Sequence, residues 1–138
     1  MKDIKQVGGT HYQRLKIQPI ELFVKLKLNW FQAETIKYLS RYPNKGLEMD
    51  LKKARNISMM AIKFFGDTFD LDYGNIPLVE SYIDQFREYS NYFNEPVSFS
   101  IFRKTIYSII NKQYSNTKRF IELLLYAEYE IKAEDITD

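Results

Sequence analysis

Apolar residues recur every three to four positions along six stretches of this chain, the spacing of one face of an α-helix. The predicted helices cover residues 19–28, 30–42, 47–65, 78–93, 99–113 and 117–132. Alternation typical of a strand is confined to residues 97–101, which is too short to predict one. The pattern therefore predicts an all-α protein of about six helices, built as one unit or as two small lobes. Residues 1–17 are expected to form an extended or looped leader.

Local signals mark several of these helix ends. Pro19 fits the first turn of a helix, where its missing N–H costs nothing. Asn29 is a good N-cap, and Gln32 three residues later completes a capping-box pattern. Pro43 ends the second helix, and Gly66 is a candidate C-cap of the third. The last helix is expected to be capped by Ser115 or Asn116, because both directly precede the apolar pattern that begins at residue 117.

The apolar positions of the predicted helices are expected to form the core. In the first three helices they are Leu22, Phe23, Leu26, Trp30, Phe31, Ile36, Leu39, Leu47, Leu51, Ala54, Ile57, Ala61 and Phe64. In the last three they include Val79, Tyr82, Ile83, Phe86, Tyr89, Phe102, Ile106, Ile109, Ile110, Phe120, Leu123, Leu124, Ala127 and Ile131. The surplus tyrosines Tyr89, Tyr92, Tyr126 and Tyr129 belong to the core or to an oligomer or partner surface.

Composition narrows the class of protein. The 138 residues are 45% hydrophobic and include no cysteine, which excludes disulfides, thiol nucleophiles and cysteine-based zinc sites. No apolar run reaches the length of about 20 residues that crosses a bilayer, and the first residues lack a signal-peptide core. The expectation is a cytoplasmic protein with no membrane association.

Charge divides the chain into two segments. Residues 1–66 carry a formal charge of +8 and residues 67–138 carry −6, and the periodicity breaks between Asp67 and Pro77. We therefore divide the chain into a basic domain, residues 1–66, and an acidic, tyrosine-rich helical extension, residues 67–138. A basic segment favours a polyanionic partner such as a nucleotide. Equally, the two segments attract each other, within one chain or between subunits of a homo-oligomer.

The leader contains the first candidate site, Gly8-Gly9-Thr10-His11-Tyr12, with the only histidine of the chain. Paired glycines allow close approach of a ligand to the backbone, and the imidazole and phenol supply hydrogen-bonding groups. The alternative is a leader in which the glycines have no role. A Walker A loop is excluded because the required frame ending in Gly-Lys-Ser/Thr is missing.

The second candidate site is the basic face of the second helix. Lys37 and Arg41 lie one turn apart, with Tyr38 and Tyr42 on the adjoining stripe. Two such cations beside aromatic rings suit an anion that carries a planar ring, since guanidinium binds phosphate and tyrosine stacks on bases. Further charges follow at Lys45, Asp50, Lys52, Lys53 and Arg55. The alternative is a solvated basic face with tyrosines at the edge of the core.

Metal and carboxylate chemistry receive less support. Asp67, Asp70 and Asp72 form a loose acidic group that lacks the spacing of a calcium loop, so a solvated turn is favoured. Glu128 and Glu130 lie on different faces of the last helix and do not form a catalytic pair.

Several widely spaced elements together resemble a family of small tailed-phage proteins that is labelled as of unknown function or as nucleotide-kinase-like. The elements are Gly8-Gly9-Thr10-His11-Tyr12, Ile17-Gln18-Pro19 with Glu21, Ile36-Lys37-Tyr38 with Arg41-Tyr42 and Lys45, and Asp50-Leu51 with Lys53-Ala54. They cover residues 6–60. The resemblance implies a phage origin, an all-α core and a site built from the leader and the basic helix.

The resemblance assigns ligand binding to Gly8, Gly9, His11, Tyr12, Gln18, Lys37, Arg41, Lys45 and Lys53, with Asp50 in the same motif. The leader and the basic helix add Thr10 and Tyr38 by their own chemistry. One departure concerns the residues before Ile36, where the family often has Gly-Asn and this chain has Glu34-Thr35. An acidic group there is expected to neutralise Lys37 or Arg41.

Three functions fit these features. The first is a phage accessory protein that binds a nucleotide or a nucleotide-derived signal and sequesters it from host defence. The second is a nucleoside monophosphate kinase without a P-loop, in which His11 and Asp50 are the catalytic candidates and Mg²⁺ is the cofactor. The third is an inhibitor that binds a host protein through the acidic, tyrosine-rich segment.

Overall fold

The computed structural model describes residues 15–43, 47–66, 76–87 and 93–136. Its helices are α1 (Pro19–Lys25), α2 (Trp30–Arg41), α3 (Leu47–Phe65), α4 (Pro77–Arg87), α5 (Val97–Ile110) and α6 (Tyr114–Tyr129), followed by a 3₁₀ turn at Ala133–Asp135. The described residues contain no strand. The prediction of an all-α fold of six helices is confirmed. None of the described helices combines the length and hydropathy needed to cross a membrane.

The local capping signals act as predicted at the first three helices. Pro19 is the first residue of α1. The Asn29 side chain accepts a hydrogen bond from Gln32 N, and the Gln32 side chain accepts one from Asn29 N, both at 2.8 Å. Gly66 follows α3 with a φ of +67°, which an L-residue with a side chain rarely adopts. These ends are determined locally, so the sequence reveals them.

Three other helices end three residues earlier than predicted, at Lys25, Ile110 and Tyr129. After each helix the chain turns through a left-handed residue that is not glycine, namely Lys27, Lys112 or Glu130, with φ of 53–58°. At the end of α6, for example, Ile131 N donates to Leu125 O. Because the sequence carries no glycine at these positions, it gives no signal for the stop.

The start of α6 also differs from the prediction. Ser115 and Asn116 lie within the helix, and Gln113 occupies the N-cap position instead. The Gln113 carbonyl accepts hydrogen bonds from both the backbone N and the hydroxyl of Thr117. The prediction of Ser115 or Asn116 as the cap is therefore wrong.

Helix α3 lies between α2 on one side and α6 on the other, and α5 packs against α6. Helices α2 and α3 are antiparallel, because Phe31 contacts Phe65 at one end and Arg41 faces Asp50 at the other. Helix α4 is joined to α2 by the hydrogen bond between Ser40 Oγ and Tyr82 Oη, 2.6 Å long. A six-helix arrangement results in which α2 and α3 present a common outer face.

A single cluster of buried side chains links the two segments of the chain. Its members come from α1–α3, from Tyr42 after α2 and from α4–α6, and the largest include Tyr42, Tyr82, Phe86 and Phe102. Four positions predicted as core are exposed instead: Trp30, Leu47, Phe64 and Leu123. These four lie at helix ends or at the margin of an apolar stripe, where no neighbouring helix covers them.

The start of α1 is fixed by long-range hydrogen bonds. The Gln85 side chain of α4 accepts from Ile17 N at 2.7 Å and donates to Ile17 O at 3.1 Å. Leu15 is buried in the core. The chain that leads into α1 is thereby held against α4.

Candidate anion-binding site on α2 and α3

The helical period places four side chains of α2 on its outer face: Trp30, Glu34, Lys37 and Arg41. They follow at intervals of four, three and four residues, so they form one stripe along the helix. The opposite face carries the buried residues of α2, including Ile36 and Leu39. The amphipathic pattern that builds the core therefore also aligns these side chains outside it.

Tyr38 lies between the α2 stripe and α3, and cations surround its ring. Lys37 Nζ is 4.6 Å, Lys53 Nζ 5.4 Å and Arg41 Cζ 5.7 Å from the ring centroid. A cation within about 6 Å of an aromatic centroid is attracted by the ring quadrupole. Together with Asp50, which faces Arg41, these residues form what we call the Tyr38 cluster. It unites five of the residues predicted from the sequence.

The three cations of the Tyr38 cluster differ in how far they are neutralised. Lys37 Nζ forms an ion pair with Glu34 at 2.6 Å, and Arg41 Nε lies 3.3 Å from Asp50 Oδ2. In the part of the chain that the structure describes, Lys53 forms no ion pair. With Glu34 included, the cluster has a net charge of +1. The expected neutralisation by Glu34 is thus confirmed for Lys37.

Asp50 is buried, and its contact with Arg41 leaves hydrogen-bonding capacity unused. The Asp50 side chain is 2% exposed, against 27% for Arg41. Arg41 Nε and Asp50 Oδ2 are both inaccessible to solvent, yet neither makes an aligned hydrogen bond within the described residues. Buried polar atoms are nearly always hydrogen-bonded, so an ion pair without an aligned hydrogen bond is unusual at this position.

A second polar layer lies beneath Asp50. The Tyr42 hydroxyl is buried near the Glu128 carboxylate without an aligned hydrogen bond to it, and burial followed by this charge raises the pKa of Tyr42 well above its usual value. Burial and then the carboxylates of Glu128, Glu48 and Asp50 raise the pKa of Tyr129 to about 12. Both phenols therefore stay protonated to a higher pH than an exposed tyrosine does.

Glu128 is itself fully engaged in the structure. Its Oε2 accepts hydrogen bonds from Asn94 N, Glu95 N and Ser98 Oγ at 2.8, 3.0 and 2.9 Å. The carboxylate therefore caps the start of α5 from α6, whereas Glu130 is exposed at the end of α6. The two glutamates therefore face different surroundings, as their predicted positions on different helix faces imply. Nothing in the local sequence pattern indicates that Glu128 is buried, because its partners lie 30–34 residues away.

Gln18 has a local role at the start of α1. Its Nε2 donates to Leu15 O at 2.8 Å, and its backbone N donates to the Glu21 carboxylate at 2.7 Å. Gly8, Gly9, Thr10, His11, Tyr12 and Lys45 lie outside the described residues, as do Asp67, Asp70 and Asp72. The described residues contain no group of three side chains suited to hold a metal ion.

The other basic residue predicted at the start of α3 has a structural partner. Arg55 Nε donates to Glu122 Oε2 of α6 at 2.8 Å, and Lys118 approaches the same carboxylate at 3.2 Å. Arg55 points away from Tyr38, towards α6. Lys52 pairs with Glu48 one turn earlier at 3.2 Å. Of the charges in this part of α3, it is Lys53 and Asp50 that join the α2 stripe.

Residues 7–58 are similar to the family described as "Protein of unknown function (DUF3310)". No curated protein and no solved structure matches the chain. The matched segment spans fewer than half of the residues, but it contains the whole Tyr38 cluster and the Gly8–Tyr12 stretch of the leader.

Proposed function

We propose that this protein binds a nucleotide, or a phosphorylated ligand derived from one, at the Tyr38 cluster and holds it without converting it. The observation that carries the proposal is the arrangement of three cations around one tyrosine ring, beside a buried Asp50 that pairs with Arg41. Phosphate oxygens are the acceptors that such cations favour.

The electrostatics of the cluster support an exchangeable anion. Lys53 has no ion-pair partner among the described residues. The pair between Lys37 and Glu34 is partly exposed, and exposed pairs of this kind contribute only about 0–1 kcal/mol. A phosphate can therefore replace Glu34 beside Lys37 at small cost. Asp50 meanwhile fixes the Nε side of Arg41, which leaves the terminal nitrogens of the guanidinium for the ligand.

The position of Asp50 favours binding over phosphoryl transfer. A kinase with Asp50 as its magnesium ligand needs that carboxylate to face the phosphates, whereas Asp50 is buried and directed at Arg41. Asp50 therefore acts as a positioning residue for Arg41. We assign Gly8–Tyr12 and Lys45 to the same site because they belong to the motif that resembles the phage family. In this proposal the protein sequesters a nucleotide signal of the host.

Titration calorimetry with a panel of nucleoside mono- and triphosphates tests the proposal. Lys53→Ala is expected to weaken binding about tenfold or more, because a hydrogen bond to a charged group contributes about 1.5–3 kcal/mol. Arg41→Lys tests bidentate recognition while it keeps the charge beside Asp50. Lys104→Ala is the matched control, since Lys104 is an exposed lysine of α5.

Two results would contradict the proposal. The first is no heat of binding with any nucleotide of the panel, or an equal loss in the Lys104→Ala control. The second is product formation: incubation with ATP, Mg²⁺ and a monophosphate that yields a diphosphate would establish the kinase instead.

A further inference from the structure

Four aromatic side chains form an exposed patch at the end of α2 and α3 opposite Arg41. Trp30 is 57% exposed, Phe64 69% and Phe65 50%. Phe31 connects them, with ring centroids 5.1 Å from Trp30, 5.9 Å from Phe64 and 5.4 Å from Phe65. We call these residues the aromatic patch. Aromatic rings that contact one another at a surface usually mark a binding site.

The aromatic patch continues the two stripes that form the Tyr38 cluster. On α2, Trp30 precedes Lys37 by seven residues, and on α3, Phe64 follows Lys53 by eleven. Both intervals return to the same side of a helix. At 1.5 Å per residue, Trp30 and Lys37 are separated by about 10.5 Å along α2. Rings and cations therefore share one face, with the rings at one end and the cations at the other.

From this juxtaposition we propose that the face of α2 and α3 binds a short single-stranded oligonucleotide, a reading that rests on the nucleotide site proposed above. A phosphodiester occupies the Tyr38 cluster, and neighbouring bases stack on Trp30 and Phe64. Single-strand binding sites combine a basic track with aromatic side chains in this way. Stacked bases repeat about every 3.4 Å, so the distance of about 10.5 Å between Trp30 and Lys37 along α2 corresponds to about three nucleotides.

An internal phosphodiester fits the Tyr38 cluster without displacing Glu34 from Lys37. With Glu34 in place the cluster has a net charge of +1, which matches the single negative charge of a phosphodiester. A terminal phosphate approaches two negative charges at neutral pH and matches the cluster only once Glu34 is displaced. The ring of Tyr38 is already surrounded by cations, so the exposed rings that bases can reach are those of the aromatic patch.

The single tryptophan makes this proposal directly measurable. Trp30 is the only tryptophan of the chain, so its fluorescence reports on the aromatic patch alone. We expect titration with dTMP, (dT)2, (dT)3, (dT)4 and (dT)8 to show affinity that rises about tenfold from dTMP to (dT)3 and then levels off. Quenching is expected with (dT)3 and not with inorganic pyrophosphate.

Variants separate the two ends of the face. Phe64→Ala is expected to weaken (dT)3 binding about tenfold and to leave dTMP binding, measured by calorimetry, unchanged. Lys53→Ala is expected to weaken the binding of both ligands. For (dT)3 it also lowers the slope of log Kd against the logarithm of the salt concentration by about 0.7. Leu123→Ala is the control, because Leu123 is an exposed apolar residue of α6. Phe64 is exposed, so its substitution leaves the core intact.

Each alternative outcome has a distinct meaning. Binding of dTMP as tight as that of (dT)3 would overturn the oligonucleotide proposal and leave the nucleotide site standing, whereas binding of neither would overturn both. A Trp30 emission maximum that shifts with protein concentration in the absence of ligand would show that a second copy covers the aromatic patch, and would also overturn it.

Discussion

Asp50 illustrates how burial changes the role of a residue. In the sequence it is one of several charges near the start of the third helix, and a magnesium ligand is among its plausible roles. In the fold it is almost completely covered and faces Arg41. A carboxylate in that position fixes the direction of a guanidinium, which is what planar recognition of phosphate requires.

The Tyr38 cluster was predictable in part. The spacing of Lys37, Tyr38 and Arg41 is set by one helix, so the sequence placed them on adjoining stripes. Lys53 joins them because α3 runs antiparallel to α2 in a particular register, which depends on how the two helices pack. Local spacing determines neighbours within a helix, whereas partners across helices follow from tertiary structure.

Tyr42 and Tyr82 offer a matched test of two buried hydroxyls. The Tyr82 hydroxyl bonds Ser40 Oγ, whereas the Tyr42 hydroxyl makes no aligned hydrogen bond among the described residues. Removal of a bonded hydroxyl costs about 1 kcal/mol, but removal of an unsatisfied one is neutral or stabilising. We expect Tyr82→Phe to lower the free energy of unfolding by about 1 kcal/mol and Tyr42→Phe to leave it equal or raise it.

Urea denaturation followed by circular dichroism measures both variants against the unmodified chain. If Tyr42→Phe costs as much as Tyr82→Phe, the Tyr42 hydroxyl has a partner in solution, and a hydrogen bond to Glu128, direct or through a bound water, becomes the simplest explanation.

At the scale of elements, the helices themselves could be predicted from the sequence because the apolar period is a property of each segment. Their ends could be predicted only where the sequence has a proline, a glycine or an N-cap residue such as Asn29. The ends of α1, α5 and α6 use left-handed lysine or glutamate, which is energetically less favourable than glycine and is compensated by backbone hydrogen bonds such as Ile131 N to Leu125 O.

The connection between α5 and α6 depends on a buried charge. Glu128 accepts three hydrogen bonds at the start of α5, in a position where the helix dipole also favours an anion. Glu128→Gln keeps the shape but removes the charge. We expect it to lower the free energy of unfolding by about 1–3 kcal/mol, because hydrogen bonds to a charged group are the stronger kind.

Glu130→Gln is the matched control for this variant, since Glu130 lies two residues later and is exposed. Its expected effect is within about 0.5 kcal/mol. Thermal or urea denaturation distinguishes the two, and an equal effect at both positions would mean that the cap of α5 by Glu128 contributes nothing to stability.

At the scale of the molecule, most of the ion pairs formed by the described residues lie within one segment rather than between the two. Arg55 of α3 does pair with Glu122 of α6. However, Lys37 pairs with Glu34, Arg41 with Asp50 and Lys52 with Glu48, all within the basic segment. The segments are joined by apolar packing, above all that of α3 against α6, and by hydrogen bonds such as that between Ser40 and Tyr82.

Because of this packing, we expect that the segment before the boundary near residue 66 does not fold by itself. Most of the buried side chains that the structure describes in the core cluster lie beyond it, including Phe86, Phe102 and Leu124. A fragment of residues 1–66 keeps the Tyr38 cluster but exposes the side of α3 that α6 covers. Chains of about 60 residues are marginal even with a complete core. We therefore expect the fragment to show reduced helicity and no cooperative thermal transition.

Far-UV circular dichroism during heating, on the fragment and the full chain at equal concentration, measures the difference. Addition of residues 76–138 as a second polypeptide is the informative control, because the packing of α3 on α6 should restore part of the helicity by association. A fragment of residues 1–66 that unfolds cooperatively by itself would show that the basic segment is an independent domain. In that case the acidic segment would not be needed for the basic segment to fold, and its contacts with α3 would contribute little to stability.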